Sequence, residues 1–449
     1  MFRVNAFTAQ KYEFFVYFCT VEQNEQIPDF SEVLEVASEA GHILLENGAE
    51  LSRVEDIMNR ISTHFGVSSG HFFILSNGIF TSGKAEKVHK AGGQASTYAN
   101  VAFIPIRATQ FSRVTAVNRL SYDISAGRCN LDEARERLEQ IKKMPVKPFW
   151  EQFVATSLSA AAFSAVFGGG FADCAAAAIA GLILYLFIFF VSSRYMSRIV
   201  AGVSNAFVAT LVSILCWRLG LGTSLSDIVI GAVMPLIPGV PFTNGVRDLA
   251  NSDYLAGLTR LTDAMLGFVC IALGVSVTFM LDSALFGEFI KLTGVTANPE
   301  TAGFFWQAVA AFVGTLGFTV IYGVDREHYL SSGIIGVAGW MVYLMLVRFA
   351  SLTAPVASLG AALIICILSR FAAVPNRCPA QVFIVCGIFT LVPGAGVFWF
   401  SYYLTSSQFD LGMHSGFMAV KVAIAIVLGI VFAMELPQRL FSRHRKATH

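Results

Sequence analysis

The sequence is poor in charge and in the motifs of soluble enzymes. Only 14% of its 449 residues are Asp, Glu, Lys or Arg, against about 25% in soluble globular domains. It holds no HExxH motif, complete P-loop or GxGxxG fingerprint, and no Ser-His-Asp spacing typical of a hydrolase. The formal net charge of +1 gives no indication of a nucleic-acid partner. We therefore predict neither an enzyme nor an ATPase, and no cofactor.

Cysteine pairs with metal-binding spacing are also absent. The eight cysteines contain no CxxC pair, and several lie within apolar runs. Such cysteines behave as small buried hydrophobes. We predict no metal site and no disulfide.

Apolar residues are abundant instead. They make up 55% of the chain and include 40 Phe, whereas most of the charged residues fall within residues 1–150. About ten apolar runs reach the length of roughly 20 residues that a helix needs to cross a bilayer. The composition predicts a mostly α-helical, polytopic membrane protein with about ten transmembrane helices. The runs are 150–169, 171–192, 199–219, 224–241, 255–281, 303–323, 331–348, 354–371, 379–399 and 416–436.

The polar N-terminal part predicts a cytoplasmic α/β domain, residues 29–147, after a flexible lead-in at 1–28. Helical spacing of apolar residues begins after Asp29, stops at Asn47-Gly48 and resumes from Leu51 to Phe65. Strand-like stretches and two further helices follow. The strands are expected at 71–75, 79–81 and 101–106, and the helices at 114–126 and 131–144.

Two proline-glycine breaks interrupt apolar runs at matching points. Pro238-Gly239 lies near the end of the fourth run, and Pro393-Gly394 lies in the ninth, 155 residues later (393 − 238). Gly181 and Gly336 repeat the same step. Broken helices at corresponding points of two halves indicate the binding site of a transporter. The sequence predicts two five-helix repeats at residues 148–285 and 303–437. A linking loop at 286–302 joins them, and a basic cytoplasmic tail at 438–449 follows.

Lys and Arg in the short loops predict that both termini are cytoplasmic. With the N-terminal domain inside, six loop arginines lie on the cytoplasmic side and three basic residues outside. Five spans is an odd number, so the second half enters the membrane from the opposite side, as in inverted-repeat transporters. The breaks would then lie at opposite ends of one pathway, or meet near the midplane if both are re-entrant. The six cytoplasmic loop arginines are Arg194, Arg198, Arg247, Arg326, Arg370 and Arg377.

Two motifs carry a family resemblance. Residues 47–61 read Asn-Gly-Ala-Glu-Leu-Ser-Arg-Val-Glu-Asp-Ile-Met-Asn-Arg-Ile. This stretch resembles the opening motif of the threonine/serine exporter family, which includes two-component relatives linked to succinate export. Residues 117–120 and 124–127 are similar to the family's motif near the end of that domain. The resemblance covers residues 30–436 and implies an exporter in the cell membrane, with a fusion seam in the loop 283–302.

The first motif contains a candidate ligand or proton site. Its members are Gly48, Glu50, Arg53, Glu55 and Asp56. The alternative is a solvated helix face, whose ion pairs three or four residues apart contribute about 0.2–0.5 kcal/mol each.

Polar residues near the breaks and within the apolar runs are further candidates, because burying polar groups in a membrane is costly. Some of them have a structural alternative. Arg247 and Asp248 could form an ordinary ion pair in a cytoplasmic loop, and Asp173 could cap a helix. The Lys421 side chain could extend to the outer membrane interface. The substrate-binding candidates are Pro238, Gly239, Thr243, Asn244, Arg247, Asp248, Pro393 and Gly394. The candidate intramembrane charges are Asp173, Asp263 and Lys421.

Together these features predict a secondary exporter of small polar organic solutes, with Asp263 or Asp248 carrying a coupling proton. The resemblance implies that the solute is threonine, serine or a small dicarboxylate such as succinate. The expected partners are a small-molecule substrate and membrane lipid, and a homo-oligomer remains open. Two alternatives are a membrane-anchored sensor or enzyme acting through the N-terminal domain, and a passive solute channel.

Overall fold

The computed structural model describes residues 29–67, 70–84, 97–104, 109–292, 303–437 and 440–441. The predicted lead-in at 1–28 lies outside the described residues, as do parts of the linking loop and of the basic tail.

The N-terminal part combines helices with a small sheet. Its strands form an antiparallel sheet in the order β1-β2-β3. The sheet packs on α1 through the buried Ile79 and a 2.8 Å hydrogen bond between the hydroxyls of Ser38 and Thr81. The elements are α1 (Phe30–Glu46), α2 (Leu51–His64), β1 (His71–Leu75), β2 (Gly78–Lys84), β3 (Thr97–Phe103), α3 (Phe111–Ser125) and α4 (Leu131–Lys142).

Residues 149–434 fold into helices that we number α5 to α16, as far as the structure describes them. A π-helical turn (Ile188–Ser192) extends α6, and a 3-10 turn (Met234–Leu236) follows α8. The helices are α5 (Phe149–Val166), α6 (Phe171–Phe187), α7 (Arg198–Arg218), α8 (Leu225–Val233), α9 (Gly239–Ala250), α10 (Tyr254–Phe286), α11 (Phe304–Ile321), α12 (Tyr329–Arg348), α13 (Ala354–Asn376), α14 (Ala380–Ile388), α15 (Gly394–Thr405) and α16 (Phe409–Met434).

Seven helices of the described chain are long and apolar enough to cross a membrane, and counting the bent pair α8–α9 as one span makes eight. The mostly helical, polytopic class is therefore confirmed. This measure of length and apolarity reaches fewer spans than the ten predicted for two reasons: α5 is not apolar enough to qualify, and the shorter helices around each break do not qualify one by one.

Helix boundaries recur at a step of 155 residues. The starts of α5 and α11 differ by 304 − 149 = 155, and those of α10 and α16 by 409 − 254 = 155. The short helices on either side of each break follow the same step and have equal lengths. α8 and α14 both have 9 residues, and α9 and α15 both have 12.

Side-chain packing and backbone shape recur with the helices. Gly257 packs against Leu249, and Gly412 packs against Leu404, 155 residues further on in each case. The turn before each long final helix contains a serine with positive φ. These are Ser252 (φ 68°) and Ser407 (φ 61°).

The corresponding helices α5 and α11 pack on each other in antiparallel directions. Gln307, near the start of α11, donates a 3.1 Å hydrogen bond to the carbonyl of Ala165, near the end of α5. Gly317, near the end of α11, lies against the carbonyl of Ala155 in the first half of α5. The chain direction is therefore reversed between these two helices where they touch.

Candidate functional site

The two proline-glycine breaks have the same backbone shape. Pro238 has φ −78° and ψ 58°, and Pro393 has φ −76° and ψ 52°. The N–H groups of Gly239 and Gly394 each donate to the carbonyl two residues earlier, at 2.8 and 2.7 Å. These are inverse γ-turns, which suit proline because its ring restricts φ and it has no N–H to satisfy. Helices α8 and α9 meet there at a bend of 60°.

The two breaks lie against each other. A Cβ added at Gly239 would come within 2.3 Å of the Phe389 ring, and one at Gly394 within 2.7 Å of the Met234 sulfur. Phe389 follows Met234 by 155 residues, as Gly394 follows Gly239, so each contact is the counterpart of the other. Reciprocal contacts of this kind are what a twofold relation produces. This arrangement is the one in which the breaks meet, and not the one that puts them at opposite ends of a pathway.

Aromatic rings fill the space beside the breaks. Phe389 stacks on Phe318 with ring centroids 3.8 Å apart. Phe318 in turn meets Phe163, its counterpart 155 residues earlier, at 5.4 Å. All three side chains are buried. The meeting point of the breaks is thus closed by packed rings in this conformation.

The turn between α1 and α2 is inserted against α9 and α14. Gly48, with φ +85°, follows the end of α1, as the Asn47-Gly48 stop predicts. Its carbonyl accepts hydrogen bonds from Asn244 Nδ2 at 2.9 Å and from Gln381 Nε2 at 3.0 Å. Gln381 Nε2 also lies 2.7 Å from Asn244 Oδ1. The predicted residues Gly48 and Asn244 are thereby brought together, and Gln381 was missed by the sequence reasoning.

The first turn of α2 is capped from the membrane part. Glu50, the residue before the helix, makes no side-chain capping bond of its own. Asp248 instead accepts from the N–H of Leu51 at 3.5 Å and pairs with Arg260 at 2.8 Å. Arg260 also donates to the carbonyl of Ala49 at 3.0 Å. A carboxylate at a helix N-terminus is favourable because unpaired N–H groups and the helix dipole meet it there.

Glu50 faces Arg247 across the same contact. Glu50 Oε2 lies 2.5 Å from Arg247 Nη2, and the two side chains are 4% and 8% exposed. Arg53 Nε is 3.6 Å from Glu50 Oε1. The Nε and Nη1 atoms of Arg247 are buried and make no hydrogen bond. Two nitrogens of the Arg247 guanidinium therefore have N–H donors without an acceptor.

These contacts correct one reading of the sequence. Arg247 and Asp248 do not form an ordinary loop pair, because both lie in the helix α9, are buried, and have partners elsewhere. The first break interrupts the helical structure only briefly. A helix resumes directly at Gly239, because the inverse γ-turn takes up the change of direction within a single residue.

The remaining residues of the first motif behave differently. Glu55 and Asp56 are exposed, and Asp56 pairs with Arg60 at 2.5 Å along the same helix. For these two residues the solvated-face alternative holds. Thr243 is buried, and its hydroxyl donates to the carbonyl of Gly239 at 2.8 Å within its own helix.

Asp173 is buried away from the breaks, at the start of α6. Its carboxylate accepts from the backbone N–H groups of Gly170 at 2.9 Å, Thr223 at 2.6 Å and Ser224 at 2.8 Å. It therefore caps α6 and fastens the loop before α8, in agreement with the helix-cap alternative.

The other two candidate intramembrane charges lie on the long helices α10 and α16. Asp263 pairs with Arg198 at 3.2 Å, and its side chain is 27% exposed. Lys421 is exposed on α16. One repeat step from Asp263 leads to position 418 (263 + 155), so Lys421 lies about one helical turn from the counterpart of Asp263.

A second contact joins α3 to the loop after α11. The N–H groups of Phe111 and Ser112 donate to the carbonyls of Tyr322 and Gly323, both at 2.9 Å. Because these N–H groups open a helix, they have no partner within it. The N-terminal part is thus bonded to both halves of the membrane part.

A cleft of about 810 Å³ lies beside this second contact. Arg119 forms an ion pair with Glu327 within it, and burial raises the pKa of the Asp325 carboxyl above its usual value. Asp325, Glu327 and His328 offer ligand atoms within 4.8 Å of one another. Arg119 already supplies a cation to Glu327, one of these three groups.

Comparison with known proteins links most of the chain to exporters. A threonine/serine exporter family model matches residues 35–282, and a second, "Threonine/Serine exporter, ThrE", matches residues 307–435. The "Threonine/serine exporter" of Corynebacterium glutamicum is 21% identical over 91% of this chain and 83% of its own length. The "Probable threonine/serine exporter" of Mycobacterium tuberculosis is 24% identical over 74% of this chain and 64% of its own length.

A third relative matches a smaller part of the chain. The "Probable succinate transporter subunit YjjP" of Klebsiella aerogenes is 27% identical over 52% of this chain and 87% of its own length. No solved structure gives a significant match.

Proposed function

The chain belongs to the threonine/serine exporter family, and on that premise we propose that it exports a small polar carboxylate from the cytoplasm. The relatives are named for threonine and serine or for succinate, and all three of these compounds carry a carboxylate. The substrate passes between the two proline-glycine breaks, where broken helices leave backbone groups free to bind it.

The reciprocal contact of the breaks carries this proposal. Gly239 meets Phe389, and Gly394 meets Met234, in two contacts related by one 155-residue step. Each half therefore contributes the same kind of broken helix to one point. Transporters built from repeats bind substrate at such a junction and open it by rocking one half against the other.

The antiparallel packing of α5 on α11 supports an inverted repeat. A twofold axis that relates two antiparallel membrane-crossing helices is perpendicular to them and so lies in the membrane plane. The ten-span arrangement then follows if α5 counts as a span and each pair of short helices, α8–α9 and α14–α15, counts as one broken span. Both termini are cytoplasmic in this arrangement, and the α1–α2 turn closes the cytoplasmic side.

We assign the coupling proton to Asp248. Protonation of this carboxyl would weaken its bonds to Arg260 and to the first turn of α2, and so loosen the cytoplasmic closure. Asp263, the other candidate, pairs instead with Arg198 of α7, and its side chain is 27% exposed.

Counterflow into proteoliposomes tests the function. We expect saturable exchange of labelled threonine, serine or succinate in the wild type, and its loss in Gly239→Ala and Gly394→Ala, whose added methyl groups would overlap Phe389 and Met234. Gly303→Ala is the matched control, because a Cβ there meets nothing within 4 Å. Non-saturable flux would indicate a passive channel, and the absence of any flux would favour a sensor or enzyme.

A further inference from the structure

The pair of Glu50 and Arg247 is a second feature of the cytoplasmic closure, and it has the properties of an occupied ligand site. Arg247 belongs to α9, directly after the first break, and Glu50 belongs to the α1–α2 turn. Both residues are almost fully buried, at 6% and 3% exposure. A charge buried this deeply requires an opposite charge and well-made hydrogen bonds.

The hydrogen bonding of Arg247 is incomplete. Glu50 reaches only Nη2, with one oxygen at 2.5 Å. The contact lacks the alignment of a hydrogen bond, so Glu50 Oε2 counts among the buried atoms without a bonded partner, together with Arg247 Nε and Nη1. A guanidinium normally engages a carboxylate through two parallel N–H bonds. Arg247 therefore has the donors for a bidentate carboxylate that Glu50 does not supply.

The surroundings of Arg247 are positively charged. Arg53 lies beside Glu50 at 3.6 Å, and Arg370 of α13 is close enough to Arg247 for the two charges to repel. Glu50 is thus shared between Arg247 and Arg53. A second carboxylate brought to this place would meet an excess of positive charge, which favours binding of an anion.

We propose that Arg247 binds the carboxylate of the exported substrate, and that Glu50 is a tethered carboxylate which occupies this site until substrate displaces it. The inference rests on the proposed function and specifies the residue that recognises the substrate. Displacement of Glu50 removes one of the contacts between the α1–α2 turn and α9, so substrate binding favours the opening of the cytoplasmic side. The site selects α-amino acids and dicarboxylates over neutral polyols and amines.

The half-saturating substrate concentration in counterflow tests this inference. Glu50→Gln removes the competing charge, and we expect the half-saturating concentration of threonine or succinate to fall by about tenfold, because a larger fraction of the protein is ready to bind. Arg247→Lys keeps the charge but loses the two parallel N–H donors of the guanidinium. We therefore expect the half-saturating concentration to rise by about tenfold or more. Glu55→Gln, an exposed carboxylate five residues further on, is the matched control and leaves it unchanged.

Several outcomes would overturn the inference. A half-saturating concentration that Glu50→Gln leaves unchanged or raises would mean that Glu50 only fastens the domain. Export of threoninol, the alcohol analogue without a carboxylate, at the rate of threonine would show that export does not require Arg247 to bind a carboxylate. The absence of counterflow in the wild type would overturn the proposed function and this inference together, whereas intact counterflow with either preceding result overturns this inference alone. Glu50→Asp, which keeps the carboxylate, separates loss of charge from faulty folding, since it should retain the wild-type behaviour if the protein is folded.

Discussion

Asp248 and Arg260 form the most enclosed ion pair in the described chain, and its surroundings explain what each partner does. Asp248 is 0% exposed and Arg260 is 4% exposed. Both side chains also bond to the α1–α2 turn: Asp248 accepts from the N–H of Leu51, and Arg260 donates to the carbonyl of Ala49. Removing one partner would leave a buried charge without compensation, which is far more harmful than breaking an exposed pair.

Arg260→Gln is expected to lower the free energy of unfolding by about 3–5 kcal/mol, because Asp248 is left charged and buried. The matched change Arg198→Gln breaks the partly exposed pair with Asp263 and should cost about 0–1 kcal/mol. Thermal unfolding of the two variants in the same detergent measures the difference. Equal losses would show that the Asp248 contact is no more important than a surface pair.

A substitution of Asp248 tests whether this residue carries the coupling proton. Asp248→Asn should abolish the dependence of export on an imposed pH gradient, since no carboxyl remains to take up the proton. Asp263→Asn should leave that dependence intact. Fluorescent or isotopic uptake into proteoliposomes with and without a gradient provides the comparison, and a gradient effect retained in Asp248→Asn would remove this residue from the coupling mechanism.

Single residues also mark the limit of what the sequence could reveal. The Asn47-Gly48 stop follows from local chemistry, because glycine readily takes the positive φ that ends a helix. The importance of Gln381 and Arg260 could not be read in this way. Their partners Gly48 and Ala49 are 333 and 211 residues away, and nothing within a helix turn of either residue indicates such a partner.

At the level of elements, the broken helices were recognisable from proline and glycine, but their geometry was not. The sequence showed where regular helix must end. It did not show that each break occupies one inverse γ-turn, after which α9 and α15 begin at once. The polar residues of α9 consequently lie on a helical face, where Asn244, Arg247 and Asp248 can all reach the N-terminal part.

The short turns that follow α9 and α15 offer an independent test of the repeat. Ser252 and Ser407 both adopt positive φ, which is unfavourable for any residue with a Cβ. Ser252→Gly and Ser407→Gly should each raise the free energy of unfolding by about 0.5–1 kcal/mol. Ser283→Gly, within α10, should lower it by about as much, because glycine weakens a helix interior. Opposite signs at Ser252 and Ser407 would argue against equivalent roles for the two turns.

At the scale of the whole molecule, the membrane part and the N-terminal part act as one bonded unit. The α1–α2 turn binds α9 and α14, and the start of α3 binds the loop after α11. The mostly helical, multi-pass character could be predicted from composition, because apolar runs of spanning length are a local property. The docking of the two parts could not, because it depends on buried polar groups that become neighbours only in the folded chain.

Fixing the docked turn should stop export. Asn251 Nδ2 lies 3.3 Å from Ser52 Oγ, so the thiols of Ser52→Cys with Asn251→Cys should be within reach of a short, reducible bifunctional cross-linker that holds the cytoplasmic side closed. Export should fall on cross-linking and recover on reduction. The pair Arg198→Cys with Asp263→Cys joins two helices of the same half and serves as the control. Full export with the first cross-link formed would show that the turn does not move during transport.

The Gly48 carbonyl accepts from Asn244 of the first half and from Gln381 of the second. Neither half can tilt away by itself without leaving a buried amide unbonded, at a cost of about 1–3 kcal/mol. If the α1–α2 turn seals the cytoplasmic side, as we propose, the Gly48 carbonyl and the direct contact between the Gln381 and Asn244 amides couple the two halves when that seal opens.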